Sequence, residues 1–266
     1  VKDYGKLAKD IRKKIVEMHA RSGSSHIGSS LSTVEILISL YFDVLNIDPK
    51  NPSLESRDRF ILSKGHACSA LYATLAARGF FPEKDLDGYT LNEGKLFGHV
   101  TRGVAGVEAS TGSLGHGLPI GTGMALAGKH DKKNFRIFVL LSDGECDEGS
   151  VWEAALFAPH HKLDNLIAIV DYNKLQAFGR TNEVINLEPF KEKWESFGWS
   201  VKEVNGHDFV ELANVFSKIP FEKGKPSVII AHTIKGKGIS FMEDKLEWHY
   251  KSPNEEELRK ALEELK

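Results

Sequence analysis

Two apolar runs, Arg136-Ile137-Phe138-Val139-Leu140-Leu141 and Leu166-Ile167-Ala168-Ile169-Val170, flank a helix-patterned segment from Val151 to His161. Runs of β-branched and aliphatic residues without polar alternation suit strands buried on both faces. Strands joined through a helix are parallel, because that connection carries the chain back to the starting edge. Further candidate strands occur at 58–62, 199–204 and 226–231. Strand and helix patterns alternate, which predicts a doubly wound, mainly parallel α/β sheet flanked by helices, in one domain over 1–266.

Helical spacing recurs between the strands. Residues 3–22 place Leu7, Ile11, Ile15 and Met18 on one face, and 32–44 opens on the capping box Ser32-Thr33-Val34-Glu35. Helices are also predicted over 67–78, over 117–129 (rich in small residues) and over the charged amphipathic stretch 254–266. Residues 79–115 are Gly-rich and weakly patterned, as expected of active-site loops. No repeat, low-complexity linker or internal boundary interrupts the chain.

Each central run ends in a polar cluster, Ser142-Asp143-Gly144-Glu145 and Asp171-Tyr172-Asn173-Lys174-Leu175. Ligands of open parallel sheets bind at this edge. Asp143 and Asn173 offer one carboxylate and one amide oxygen, hard ligands suited to Mg²⁺ or Ca²⁺ and too few to cage the ion alone. Waters and a phosphate-bearing cofactor would complete the set. Taken alone, Asp143-Gly144 reads equally well as an ordinary turn.

Two other motifs fall away. Gly123 to His130 has the glycine spacing of a phosphate-binding loop but lacks its Ser/Thr, is apolar, and precedes a strand instead of following one. Gly121-Thr122-Gly123 begins a dinucleotide fingerprint but meets Leu126 where the third Gly belongs. Close helix packing, with small residues admitting a neighbouring backbone, accounts for the second.

Bulk properties narrow the class further. The 266 residues are 41% hydrophobic and 27% charged, enough for a full-sized core. A net charge of −2 without a Lys/Arg run gives nucleic acid or a membrane surface no electrostatic handle. No apolar stretch spans a bilayer, and Val1-Lys2-Asp3-Tyr4-Gly5 lacks a signal-peptide core. Cys68 and Cys146 are too few for a disulfide scaffold or a cysteine zinc site. A cytoplasmic enzyme is the expectation. Among eleven histidines, His26, His66, His99 and His249 stand in Gly/Ser-rich or aromatic contexts. Each alone suits a surface or capping role, whereas together they could bind a polyhydroxy substrate and move protons near pH 7.

The Asp143-Gly144…Asn173 spacing resembles the thiamine-diphosphate motif, with Ser142 in place of its first Gly. That resemblance implies a divalent metal held by Asp143, Asn173 and the carbonyl of Leu175, with the Gly144 N–H close to the diphosphate. The chain as a whole resembles the first domain of the transketolase family. The resembling segments are Ser-Lys-Gly-His-Ala (63–67), Thr-Gly-Ser-Leu-Gly-His-Gly-Leu (111–118), Asp-Gly-Glu-Cys-Asp-Glu-Gly-Ser-Val-Trp-Glu-Ala (143–154), Lys-Leu-Asp-Asn-Leu (162–166), Thr-Ile-Lys-Gly-Lys-Gly-Ile (233–239) and Glu-Asp-Lys-Leu-Glu-Trp-His (243–249).

By this resemblance His26, His66, His99 and His249 line the substrate and cofactor channel. His66 and His249 approach the diphosphate, while His26 and His99 face the sugar. Ser29, Gly112, Ser113, Leu114 and Lys235 match positions around the cofactor, and Glu148 and Glu153 match acidic residues linking paired active sites across an interface. His116 replaces the family's usual Gln, and His160, His161 and His232 match no role. The implied reaction moves a two-carbon ketol unit from a ketose phosphate to an aldose phosphate. In the family, the glutamate that activates the cofactor and the main phosphate-gripping arginines lie in a pyrimidine-binding domain for which this sequence has no counterpart. The expectation is therefore the N-terminal subunit of a split transketolase, completed by a C-terminal subunit in an α₂β₂ assembly. Two other readings stay open: half of another thiamine-diphosphate enzyme acting on a different ketose or a decarboxylation substrate, and a non-catalytic binding protein of the same fold.

Overall fold

The computed structural model describes residues 3–266; Val1 and Lys2 of the N-terminal stretch read above lie outside the described residues. Five strands, β1 (Arg59–Leu62), β2 (Ile137–Ser142), β3 (Leu166–Tyr172), β4 (Ser200–Asn205) and β5 (Ser227–His232), pair in the order β1-β2-β3-β5-β4, every pair parallel. β2 and β3 are buried along their whole length, which is why their sequences show no polar alternation. Their odd and even residues serve different cores. Phe138, Leu140, Ile167 and Ile169 join one cluster, whereas Ile137, Val139, Leu141, Ala168 and Val170 join the other. Each buried aliphatic side chain contributes about 1.5–3 kcal/mol. At the edge, β4 buries Val201 and Val204 and exposes Lys202 and Glu203 between them, charges that discourage pairing with another strand.

The first core is covered by α1 (Tyr4–Ser22), α2 (Ile27–Leu31), α3 (Val34–Ser39), α4 (Cys68–Arg78), α9 (Phe209–Phe216) and α10 (Glu255–Glu264). The second is covered by α5 (Gly117–His130), α6 (Gly149–His160) and α8 (Phe190–Ser196), while α7 (Thr181–Val184) is a short turn of helix between strands. Helices on both faces make the sheet doubly wound, as the alternation predicts. Within 79–115 the regular structure is a 3₁₀ turn at Glu83–Gly88.

One expectation needs correction. Residues 32–44 do not form a single capped helix. The segment breaks at Ser32-Thr33, resumes as α3, and widens into a π-helical turn at Leu40–Val44. The Ser32 hydroxyl donates to Asp171 (2.7 Å) and to the Ser29 carbonyl (3.1 Å), and Glu35 binds Arg12 and His207. Buried charges elsewhere in the fold have taken both members of the cap. The reading of α5 also sharpens. Gly121 and Gly128 admit side chains instead of backbone, because a Cβ on Gly121 would lie 2.5 Å from Val139 and one on Gly128 2.7 Å from Phe135, whereas Gly123 faces open space.

Candidate active site

The carboxyl ends of β2 and β3 are level, with Ser142 opposite Asp171 and the Asp143 N–H donating to the Asp171 carbonyl at 3.3 Å. Asp143 therefore leaves the sheet beside Asn173, and both are buried. The Asp143 carboxylate accepts the N–H groups of Gly144 (2.7 Å) and Lys174. The Asn173 amide donates to Asp171 (3.2 Å) and accepts from the Leu175 N–H (3.1 Å). Lys174, between them, takes a left-handed φ of 65°, which turns this loop back toward Asp143.

Burial, and then the neighbouring Asp171 charge, push the Asp143 carboxyl up to about 7. A divalent cation on Asp143 would offset that cost of burial. One carboxylate, one amide oxygen and main-chain carbonyls make an all-oxygen set suited to a hard ion, so the residues present fit a Mg²⁺ or Ca²⁺ site. The Leu175 carbonyl accepts from the Lys235 ammonium at 3.1 Å, and its second lone pair leaves room for a metal.

A second layer of charge supports this floor. Lys64, fully buried, forms an ion pair with fully buried Asp171 and donates to the Ser29 carbonyl at 3.2 Å. Burial pushes the Asp171 carboxyl up, but Lys64, Thr233 and Ser32 outweigh it and hold it below the usual carboxylate range. Glu145, also fully buried, accepts from the Gly115 N–H (2.8 Å), the Ser142 N–H (3.2 Å) and the Ser63 hydroxyl. It thereby ties the 112–115 loop to the turn that carries Asp143. Gly117 must be glycine here, since a Cβ would sit 2.2 Å from the Ser63 hydroxyl.

Above the floor lies a cavity of about 460 Å³. His26, His66, His99 and His249 line it, brought from the ends of four separate segments. Ring centroids of His26 lie 5.1 Å from His66, 5.0 Å from His249 and 6.0 Å from His99. Burial first, then its imidazole and lysine neighbours, lowers His26 to about 4. Burial and Lys235 lower His249 to about 3, and burial and Lys64 hold His66 well below the usual range. Lowered in this way, these three imidazoles are uncharged at neutral pH and available as hydrogen-bonding groups. His66 Nε2 lies 2.9 Å from the Ser29 hydroxyl, and Lys235 Nζ lies 2.9 Å from His249 Nδ1. Burial, then Lys64, brings the Lys235 ammonium down to about 8.

Asp143, Asn173, Leu175, Ser29, Gly112, Leu114, Gly144, Lys235 and Glu148 also line this cavity. Ser113 and Glu153 do not; both are exposed, Glu153 on the outer face of α6. His116, His160 and His161 are not among its lining residues, and His232 sits at a half-exposed ion pair with Glu203. Sequence reading named no role for Lys64, Asp171, Glu145 or the rim residues Phe178, Val184 and Ile185. A charged residue two positions after a buried strand was the available signal for Lys64, and one within the end of such a strand for Asp171. Among the described residues, no helix is long and apolar enough to cross a membrane.

Comparison with known proteins identifies the family. Residues 4–265 match the family described as transketolase, thiamine diphosphate binding domain. The chain is 49% identical to an apulose-4-phosphate transketolase subunit of Actinobacillus succinogenes, over 98% of this chain and 95% of that protein. It is 45% identical to a 6-deoxy-6-sulfo-D-fructose transketolase subunit of a Clostridium species, over 99% and 96%. The solved transketolase of Campylobacter jejuni superposes with a TM-score of 0.93 at 32% identity, covering 98% of this chain and 42% of that one. The chain thus spans about two-fifths of the solved transketolase and nearly all of each of these two shorter relatives. It belongs to the transketolase family and comprises that family's thiamine-diphosphate-binding domain.

Proposed function

We propose that the chain is the diphosphate-binding subunit of a split transketolase, moving a two-carbon ketol unit from a ketose phosphate to an aldose phosphate. The carrying observation is the convergence of Asp143, Asn173 and four histidines on one cavity at the carboxyl edge of the sheet. Asp143, Asn173 and the Leu175 carbonyl hold Mg²⁺ or Ca²⁺ against the diphosphate of thiamine diphosphate. Gly144, Ser29, Gly112, Leu114, Lys235, His66 and His249, all lining the cavity, surround the cofactor, whereas exposed Ser113 stands outside it. When bound, thiamine diphosphate supplies the electron sink for breaking the bond beside a ketose carbonyl. His26 and His99 bind the sugar oxygens, and His26, kept unprotonated by burial, does so as a neutral hydrogen-bonding imidazole.

Completion by a C-terminal, pyrimidine-binding subunit is part of this proposal. Phe178 is 80% exposed and Ile185 55% exposed at the cavity rim, an apolar margin suited to being covered. Exposed Glu148 and Glu153 are accessible to a second copy, consistent with an α₂β₂ assembly. The Actinobacillus and Clostridium relatives are themselves named as transketolase subunits, which supports the same reading.

The test is to purify the chain alone and together with the product of any adjacent gene encoding the C-terminal part. Each is then assayed with thiamine diphosphate, Mg²⁺ and a panel of ketose donors. The panel includes ordinary ketose phosphates, apulose 4-phosphate and 6-deoxy-6-sulfofructose. Transfer by the pair and none by the chain alone is expected. Turnover by the chain alone refutes the split enzyme, and cofactor binding by the pair without transfer from any donor favours a binding role.

A further inference from the structure

We propose that His207, oriented by Glu35 and Arg12, is a positioning residue that sets the Lys235 side of the cavity. None of the three lines the cavity. Arg12 comes from α1, Glu35 from α3, and His207 from the turn after β4. Their side chains are 6%, 8% and 11% exposed. Arg12 grips Glu35 with two parallel bonds of 2.7 and 2.8 Å, the bidentate geometry that fixes a carboxylate's orientation. The second carboxylate oxygen lies 2.9 Å from His207 Nδ1.

The other face of the imidazole gives the arrangement its direction. The Ile234 main-chain N–H donates to His207 Nε2 at 2.8 Å, so that nitrogen carries no proton and the ring donates to Glu35 through Nδ1. Arg12 uses its remaining Nε–H on the Lys237 carbonyl at 2.8 Å. One network therefore holds the chain immediately before Lys235 and two residues after it. Gly238, at φ 94°, lets this approach occur, because a Cβ there would lie 2.7 Å from the Arg12 side chain.

The clamped segment has no helix or strand to define it. Besides this network its main-chain ties include the Gly236 N–H to the Gly28 carbonyl (2.9 Å) and the Asp244 N–H to the Lys235 carbonyl (2.9 Å). From it the Lys235 ammonium reaches the Leu175 carbonyl, the Gln176 carbonyl (3.3 Å) and His249 Nδ1. A displacement of about 1 Å in the segment takes that ammonium out of hydrogen-bonding range of these acceptors. The network thus transmits the orientation of one buried carboxylate to the cation beside the cofactor cavity. Its relevance to cofactor binding rests on the function proposed above.

Two substitutions separate positioning from simple support. His207→Gln places a carbonyl near the Nε2 position and keeps an acceptor for Ile234. His207→Asn keeps a donor near Nδ1 for Glu35 but offers Ile234 nothing. Hydrogen exchange of the full chain should show 233–239 exchanging about tenfold faster in His207→Asn and near wild-type in His207→Gln, as expected for one lost hydrogen bond. The ¹⁵N shift of the His249 Nδ1 atom should move in His207→Asn alone. In the complex with the C-terminal subunit, affinity for thiamine diphosphate with Mg²⁺ should fall about tenfold in His207→Asn and recover in His207→Gln, the loss expected of one displaced hydrogen-bonded cation. Unchanged exchange in 233–239 for His207→Asn overturns the proposal, as does equal loss of global stability in both variants without a local difference. Local release and the His249 shift with unaltered cofactor affinity support the clamp and refute the cofactor assignment of Lys235.

Discussion

The main-chain N–H of His26 donates to the main-chain carbonyl of His249 at 2.7 Å. Two imidazoles from opposite ends of the chain are thereby held with ring centroids 5.0 Å apart. His26 adopts a left-handed φ of 77° to make this contact, and α2 starts directly after it. The constraint is on the backbone as much as on the side chain.

That constraint predicts an inversion of the usual order of substitutions. A left-handed non-glycine residue costs about 1 kcal/mol, and glycine removes the cost. His26→Gly should therefore be more stable than His26→Ala by about 1 kcal/mol in urea unfolding, with both abolishing the ketol transfer proposed for the complex with the C-terminal subunit. Equal midpoints would show that the loop relaxes to another conformation.

The Lys64–Asp171 pair is buried completely, so removing one partner leaves an uncompensated charge. Lys64→Met and Asp171→Asn should each destabilise the chain by about 3–5 kcal/mol. The double variant should recover part of that loss, and a double-mutant cycle in denaturant measures the coupling. Additive losses would show that the two side chains act independently.

Acid sensitivity should divide into two windows. His19 is fully buried between Ser24 and Ser69, and burial lowers its pKa to about 4. The unfolded chain takes up that proton first, so stability falls as pH drops from about 6.5 to 4. Burial pushes Glu35 up, but His207 and Arg12 outweigh it and hold the carboxyl at about 2. Its contribution is present above about 4.5 and is lost as pH falls through 2, amounting to about 3 kcal/mol. Glu35→Gln should flatten the lower limb of the stability–pH curve and His19→Gln part of the upper limb. A Glu35→Gln variant with an unaltered limb below about pH 4 would contradict the ion-pair account.

Removing Asp143 should remove the metal dependence of cofactor binding. Asp143→Ala should weaken thiamine-diphosphate affinity by several kcal/mol in Mg²⁺, with little further effect of a chelator, because few hard ligands remain. Calorimetric titration of the assembled protein with and without Mg²⁺ makes the comparison. Unchanged affinity would place the metal elsewhere.

Much of this site was legible before the fold. Asp143 and Asn173 follow buried strands directly, so the patterning that marks the strands also marks their shared edge. The four histidines stood out by context. Ser32 and Glu35 show the limit of local reading. Their spacing is that of a helix cap, yet Asp171 from β3 and the Arg12–His207 pair claim the two side chains. A capping interaction is worth about 1 kcal/mol, less than leaving a buried carboxylate unpaired.

The sequence alone determined the parallel doubly wound architecture, since unalternating strands between helices can be buried only between two layers. It also determined the cofactor class that the family match upholds. Tertiary structure alone decided what supports the site. Lys64 and Asp171 are 107 residues apart, and Glu35 and His207 are 172 apart. Those pairings follow from which strand lies beside which and from the cost of burying a charge without a partner. No local pattern in the chain encodes either.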